Sequence, residues 1–291
     1  MSARSGSWLD MWLFHELATG FSWPVQDSRI QLYRILLAVA ALLKAGATLF
    51  LGDWNRLRVN SFGRFRLERR WGARQARLIS AVHKPLVLAR LLASVLLLVG
   101  IEPKAAIAIL LVGFGHELCY EYRFNTIYIA TCLCFLLPAG NLGTTLGLSG
   151  RVSTDNAWSQ FLIVLLTVDV YWNSAYQKLR SRQFRMGLSL VQQAYIADTV
   201  RPRIVGREYW HPPTGVTAAM AAGAVPRQWR ALPVLVIMLE ILLPIGLLVP
   251  VLRPFAVAAG IALHLGFLSI LPLRLAPFTL ASLASYLLFI P

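Results

Sequence analysis

Eight stretches of this chain are apolar for long enough to need a solvent other than water. They run over 31–51, 85–101, 104–120, 126–141, 158–178, 232–252, 254–272 and 276–290. A helix that crosses a bilayer needs ~20 mostly apolar residues, because lipid offers no partner to a bare backbone N–H or C=O. The expected fold is therefore all-α: a polytopic membrane helix bundle of about eight transmembrane helices, with further interfacial amphipathic helices. Composition agrees. Of 291 residues, 57% are hydrophobic and 14% charged, against about 25% charged in soluble domains. That excludes a soluble globular enzyme, a disordered chain and a disulfide scaffold. Residues 1–291 read as a single transmembrane domain.

Short turns separate some of these stretches. Glu102-Pro103-Lys104 and Arg253-Pro254 each read as the corner of a helical hairpin, since proline suits the first turn of a helix, where its missing N–H would be unpaired anyway. Residues 7–23 mix aromatics with Asp10, His15 and Glu16. They read as an interfacial helix within an N-terminal segment over 1–29, with its Trp residues at headgroup level.

Charge then orients the bundle. The formal charge is +15, and the 28 basic residues are 24 Arg and four Lys. With eight spans, one side of the membrane receives 20 of them, the N-terminal side six, and two fall within spans. The positive-inside rule places the 20 in the cytoplasm and both termini outside. Most of that excess lies in two loops, 53–83 and 179–231, read as basic amphipathic segments on the inner leaflet. The expected location is a bacterial plasma membrane, and the expected partner is the lipid bilayer. No nucleic-acid-binding module is present.

Ionisable groups inside spans are costly, and each is a candidate for function. They are Lys44, Arg90, His116, Glu117, Asp169, Lys178, Glu240 and His264. At ~1.5 Å per helical residue, Lys44, Asp169, Glu240 and His264 sit ~10–13 Å from the cytoplasmic ends of their spans. One depth shared by several helices points to a polar cavity. The densest local set ends the fifth span. On a helix Tyr171, Ser174 and Lys178 fall on one stripe, Asp169 and Asn173 on the next, with Tyr176 beside it. A desolvated lysine can shed its proton and serve as a base.

Ser174-Ala175-Tyr176-Gln177-Lys178-Leu179, with Phe184 and Gly187 downstream, resembles a signature of the HTTM family, membrane proteins related to vitamin K-dependent gamma-carboxylase. Glu240 with Pro244, then Arg253, His264, Phe278 and Phe289, resemble the family's downstream hairpin and last span, and Arg34 is a further match. The resemblance runs from about residue 28 to 290. It implies a lysine base, at Lys178, that deprotonates a reduced quinone, and it implies a peptide or small molecule as substrate. Tyr171 and Ser174 would then orient a quinol oxygen. Thr126 stands where the family usually has a histidine. The chemistry implied is quinol-linked oxidation or a carboxylase-like modification. The alternative is a non-catalytic membrane factor for maturation, export or immunity of a secreted peptide. No metal-ligand cluster and no nucleotide fingerprint is evident in the sequence.

Overall fold

The computed structural model describes residues 23–50, 53–189, 191–192, 196, 199, 227–271 and 273–290. Residues 7–22 of the expected interfacial helix, and residues 200–226 of the second basic loop, lie outside the described residues.

The chain is mostly helical. Among the described residues the helices are α1 (Asp27–Phe50), α2 (Phe62–Trp71), α3 (Ala73–Ala81), α4 (His83–Val99), α5 (Pro103–Tyr120), α6 (Phe124–Leu136), α7 (Ala157–Arg180), the short α8 (Arg182–Arg185), α9 (Arg227–Leu248), α10 (Arg253–Ile270) and α11 (Ala276–Ser285). A 3-10 turn over Tyr286–Phe289 extends α11. Each apolar stretch read from the sequence overlaps a helix, but the fourth is helical only to Leu136, five residues short of the expected end at 141. Among the described residues, three helical runs are long and apolar enough to cross a membrane: Asp27–Phe50, Ala73–Val99 (α3 and α4 together) and Ala231–Leu248. These features are those of a membrane protein.

Helix ends follow local chemistry. The α4–α5 corner turns on Gly100, which caps α4 with a φ of 86°, and Pro103 opens α5. A side chain at Gly100 would also collide with the guanidinium of Arg34. The first basic loop is not one continuous helix. Gly72 adopts a φ of 83° and splits it into α2 and α3, and the Ser61 hydroxyl caps α2 by accepting from the Arg64 N–H. Arg66, Arg69, Arg70, Arg74 and Arg77 are exposed, together with Phe62, Phe65, Trp71 and Leu78. This basic and apolar surface is the kind that lies on anionic headgroups.

α1 begins four residues before the expected span because Asp27 is pinned. Its carboxylate accepts from Asn141 (2.7 Å), Asn156 (2.8 Å) and Ser153 (3.0 Å), and Asp27 is fully buried. An acidic residue in the first turn also suits the helix dipole. Residues 137–156, which join α6 to α7, fold over this end. Val25–Gln26 pairs antiparallel with Val152–Ser153. Arg34, fully buried, donates to the Thr145 carbonyl at 2.8 Å.

Two apolar clusters fill the bundle. The larger joins α1, α4, α5, α6, α7 and α11, with Tyr33, Leu37, Leu97, Leu110, Phe114 and Ile129 among its members. The smaller joins α7, α9, α10 and the 286–289 turn through Tyr171, Leu243, Leu247, Leu263 and Tyr286. The helices therefore run between two ends. One carries Asp27 and the start of α7. The other carries Lys178 and the end of α7.

Candidate functional site

The ionisable groups inside the helices form two centres, one in each apolar cluster. The first is built on Glu117 of α5. One carboxylate oxygen lies 2.9 Å from Lys44 Nζ of α1 and accepts from the Thr126 hydroxyl of α6 at 2.8 Å. The other accepts from Arg90 Nη1 of α4 at 2.9 Å. All four residues are buried. Arg90 also stacks on Phe114, 4.9 Å from its ring centroid. A cavity of about 20 Å³ adjoins Lys44 and Glu117, room for about one water. His116 turns away from the carboxylate, with Nε2 2.8 Å from the Ile79 carbonyl, and packs against His83 and Tyr120.

The second centre is built on Glu240 of α9. Lys178 of α7 forms an ion pair with it. The Ser174 hydroxyl donates to the same carboxylate oxygen at 3.0 Å, and Lys178 Nζ donates to Ser174 Oγ at 2.9 Å. Amine, hydroxyl and carboxylate thus form a closed triangle. The ammonium lies over two rings, 5.4 Å from the centroid of Phe184 and 5.0 Å from that of Phe267. Glu240 is sealed, at 2% side-chain exposure, while Lys178 keeps 19%. Lys178 is therefore paired within the bundle yet not sealed off.

One turn deeper, the Tyr171 hydroxyl meets His264 Nε2 of α10 at 2.7 Å and also bonds the Tyr286 hydroxyl. Phe267 links the two sets, because its ring packs on His264 and faces Lys178. The sequence stripe of Tyr171, Ser174 and Lys178 is thus brought together with Glu240 and His264. Asp169, Asn173 and Tyr176 are not. All three are exposed, because their stripe turns away from α9 and α10, and the Tyr176 hydroxyl instead accepts from Arg180 at 3.1 Å. Glu117 belongs to the other centre, and His116 bonds the Ile79 carbonyl instead of joining either. The single polar layer expected from depth alone is two separate centres.

Three contributors escape a motif search. Tyr286 gives no periodic signal in the last apolar stretch. Gly260 and Gly113 carry no chemistry, yet a side chain at Gly260 would strike the Tyr286 ring, and one at Gly113 would strike the aliphatic stem of Arg90. Each centre depends on a glycine that makes room for its largest polar side chain. Among the described residues no group of His, Cys, Asp and Glu is placed to hold a metal ion.

The chain matches no protein-family model, no curated protein and no solved structure.

The first centre has the features of a structural clamp. Glu117→Gln leaves two buried cations without a counter-charge, and breaking a buried pair costs about 3–5 kcal/mol. Thr126→Val removes one hydrogen bond to a charged group, worth about 1.5–3 kcal/mol. Denaturant titration in mixed micelles should rank the parent above Thr126→Val, and Thr126→Val above Glu117→Gln. Parental stability in Glu117→Gln would contradict the clamp.

Proposed function

We propose that this chain is an integral membrane enzyme of the HTTM kind, in which Lys178 is a base acting on a reduced quinone in a quinol-linked oxidation. The observation that carries the reading is the Lys178–Ser174–Glu240 triangle: an amine paired at one end of the bundle, partly accessible, between two aromatic faces.

The residues suit such a substrate. Phe184 and Phe267 offer ring faces for a flat aromatic body, and offset or edge contacts between rings are favourable. Lys178 and Ser174 offer the polar contacts for a ring oxygen. A reduced quinone would supply the electrons and an acidic O–H, with dioxygen as the oxidant. The protein supplies position and proton transfer. A proton that moves from Lys178 to Glu240 turns the ion pair into a neutral amine and a neutral acid. The amine then has a lone pair for an acidic O–H. Ser174, bonded to both partners, holds the amine nitrogen in place while its proton is away. Tyr171, fixed by His264 and Tyr286, closes the inner wall. Thr126 serves the Glu117 clamp in this reading, so the histidine usual at that position in the family has no counterpart here.

The same reading includes eight transmembrane helices in a bacterial plasma membrane, with α2, α3 and Lys178 toward the cytoplasm and both termini outside. The exposed arginines of α2 and α3 support that orientation. Gly150 and Arg77 test it, because both are exposed and a side chain at Gly150 meets open space. In a variant without the native cysteines, an impermeant maleimide added to intact cells should label Gly150→Cys. It should label Arg77→Cys only after permeabilisation. The reverse pattern would overturn the orientation.

Function is tested by oxygen consumption with a water-soluble naphthohydroquinone and the purified protein in nanodiscs. General acid–base groups contribute about 10²–10⁴-fold. Lys178→Ala, shown to fold by an unchanged gel-filtration profile, should lose at least about 100-fold in rate. Equal rates in the parent and Lys178→Ala would contradict the lysine-base reading, and no oxidation by either would favour the non-catalytic maturation factor.

A further inference from the structure

The end of the bundle opposite Lys178 holds a cavity of about 390 Å³. Gln160 at its wall is 18 residues from Lys178 along α7, or about 27 Å at the helical rise. This is therefore a separate place from the amine site. Its volume lies within the ~300–1,000 Å³ of small-molecule pockets, which are mostly apolar with a few placed polar groups. Phe161, Val164, Leu248, Leu288 and Phe289 supply the apolar wall, and Arg253 stands at the rim.

The cavity is a built feature. Gln160, 6% exposed, donates through its amide to the carbonyls of Leu288 (2.8 Å) and Ile290 (3.1 Å). Those bonds hold the end of the 286–289 turn across the start of α7 as one wall. Arg29 of α1 donates to the Ile290 carbonyl from the other side. Arg253 spends its Nε on the Leu247 carbonyl at 3.0 Å, within the α9–α10 turn, and it lies within electrostatic reach of Arg29. Arg253 is thus the cation at the cavity rim, with Arg29 nearby, and among the described lining residues there is no carboxylate. An apolar cavity with a cationic rim is complementary to a molecule with one greasy tail and an acidic head.

We propose that this cavity binds an acidic amphiphile, with its tail against Val164 and Phe161 and its carboxylate or phosphate on Arg253. The head sits at the rim, where it keeps part of its hydration, and the tail displaces only apolar surface. The site stands independently of the quinol reading. Its ligand is either an anionic lipid drawn from the surrounding bilayer or a free long-chain acid.

The test uses the intact protein in nanodiscs and hexadecanoic acid carrying a photoactivatable diazirine in its tail, with the crosslinks located by mass spectrometry. Labelling should concentrate on residues 157–164 and 248–253. Unlabelled hexadecanoic acid should displace the probe, and hexadecanol at the same concentration should not. Arg253→Gln should lower labelling about tenfold, the equivalent of about 1.4 kcal/mol. Arg253→Lys should retain most of it, because charge and not fork geometry holds the head. Val164→Trp should abolish it by filling the cavity. Competition by an anionic phospholipid as well as the free acid identifies the bilayer as the source. Competition by the free acid alone identifies a free acid. Either result supports the site. The proposal is overturned if hexadecanol competes as well as the acid, or if labelling spreads evenly over the lipid-facing helices. Both of those readings come from the parent protein and do not depend on any variant folding.

Discussion

A carboxylate removed from water costs much stability unless it is paired and hydrogen-bonded. Glu117 is met on one oxygen by Lys44 and Thr126 and on the other by Arg90. Those partners come from α1, α6 and α4, so four helices close around one charge. The packing of the larger apolar cluster is compatible with this only because Gly113 leaves room for the stem of Arg90. Apolar contacts between helices are not directional, and in lipid no hydrophobic driving force adds to them. The Glu117 clamp supplies the register that such contacts lack.

The second centre is met differently: Lys178 and Ser174 both bond one oxygen of Glu240, and the other oxygen has no hydrogen-bond partner among the described residues. Glu240 is as buried as Glu117, but its cation retains exposed surface. Its neighbours are a hydroxyl and two aromatic rings, where Glu117 has a second cation. A clamp needs redundancy, and Glu117 has two cationic partners. A reactive pair needs the opposite, one partner that can take a proton and release it. The contrast between three charges in a sealed site and two in a half-open one is the physical reason for placing the proposed chemistry at Lys178 and leaving Glu117 with structure.

The two ends of the bundle divide the remaining work. The Asp27 end is fixed by side-chain hydrogen bonds to Asn141, Ser153 and Asn156 and by the short β pairing. It also holds the apolar cavity under Arg253. The Lys178 end carries the amine and the basic surface helices. Helix positions were legible in the sequence because lipid enforces long apolar runs, and the proline corners marked their turns. The Lys178, Ser174 and Tyr171 stripe was legible too, because helical spacing alone places those side chains together. The partition into two centres was not. Depth along a helix says nothing about rotation around it, so Asp169 shares a layer with Glu240 while pointing away. Tyr286 and Gly260 were hidden for a related reason, since their roles exist only once α10 and the last turn are packed together. The break at Gly72 rests on a single positive φ, which apolar periodicity does not report.

The central claim is that the Lys178–Glu240 pair is kept for chemistry and is not required to hold α7 against α9. Replacing both partners by apolar residues separates these roles, because a buried ion pair exchanged for hydrophobic side chains of similar volume is often neutral in stability. The measurement is quinol-dependent oxygen consumption by Lys178→Met/Glu240→Leu, compared with its unfolding midpoint. The account predicts parental stability to within about 1 kcal/mol and no quinol oxidation. A double variant that oxidises quinol at the parental rate would contradict it.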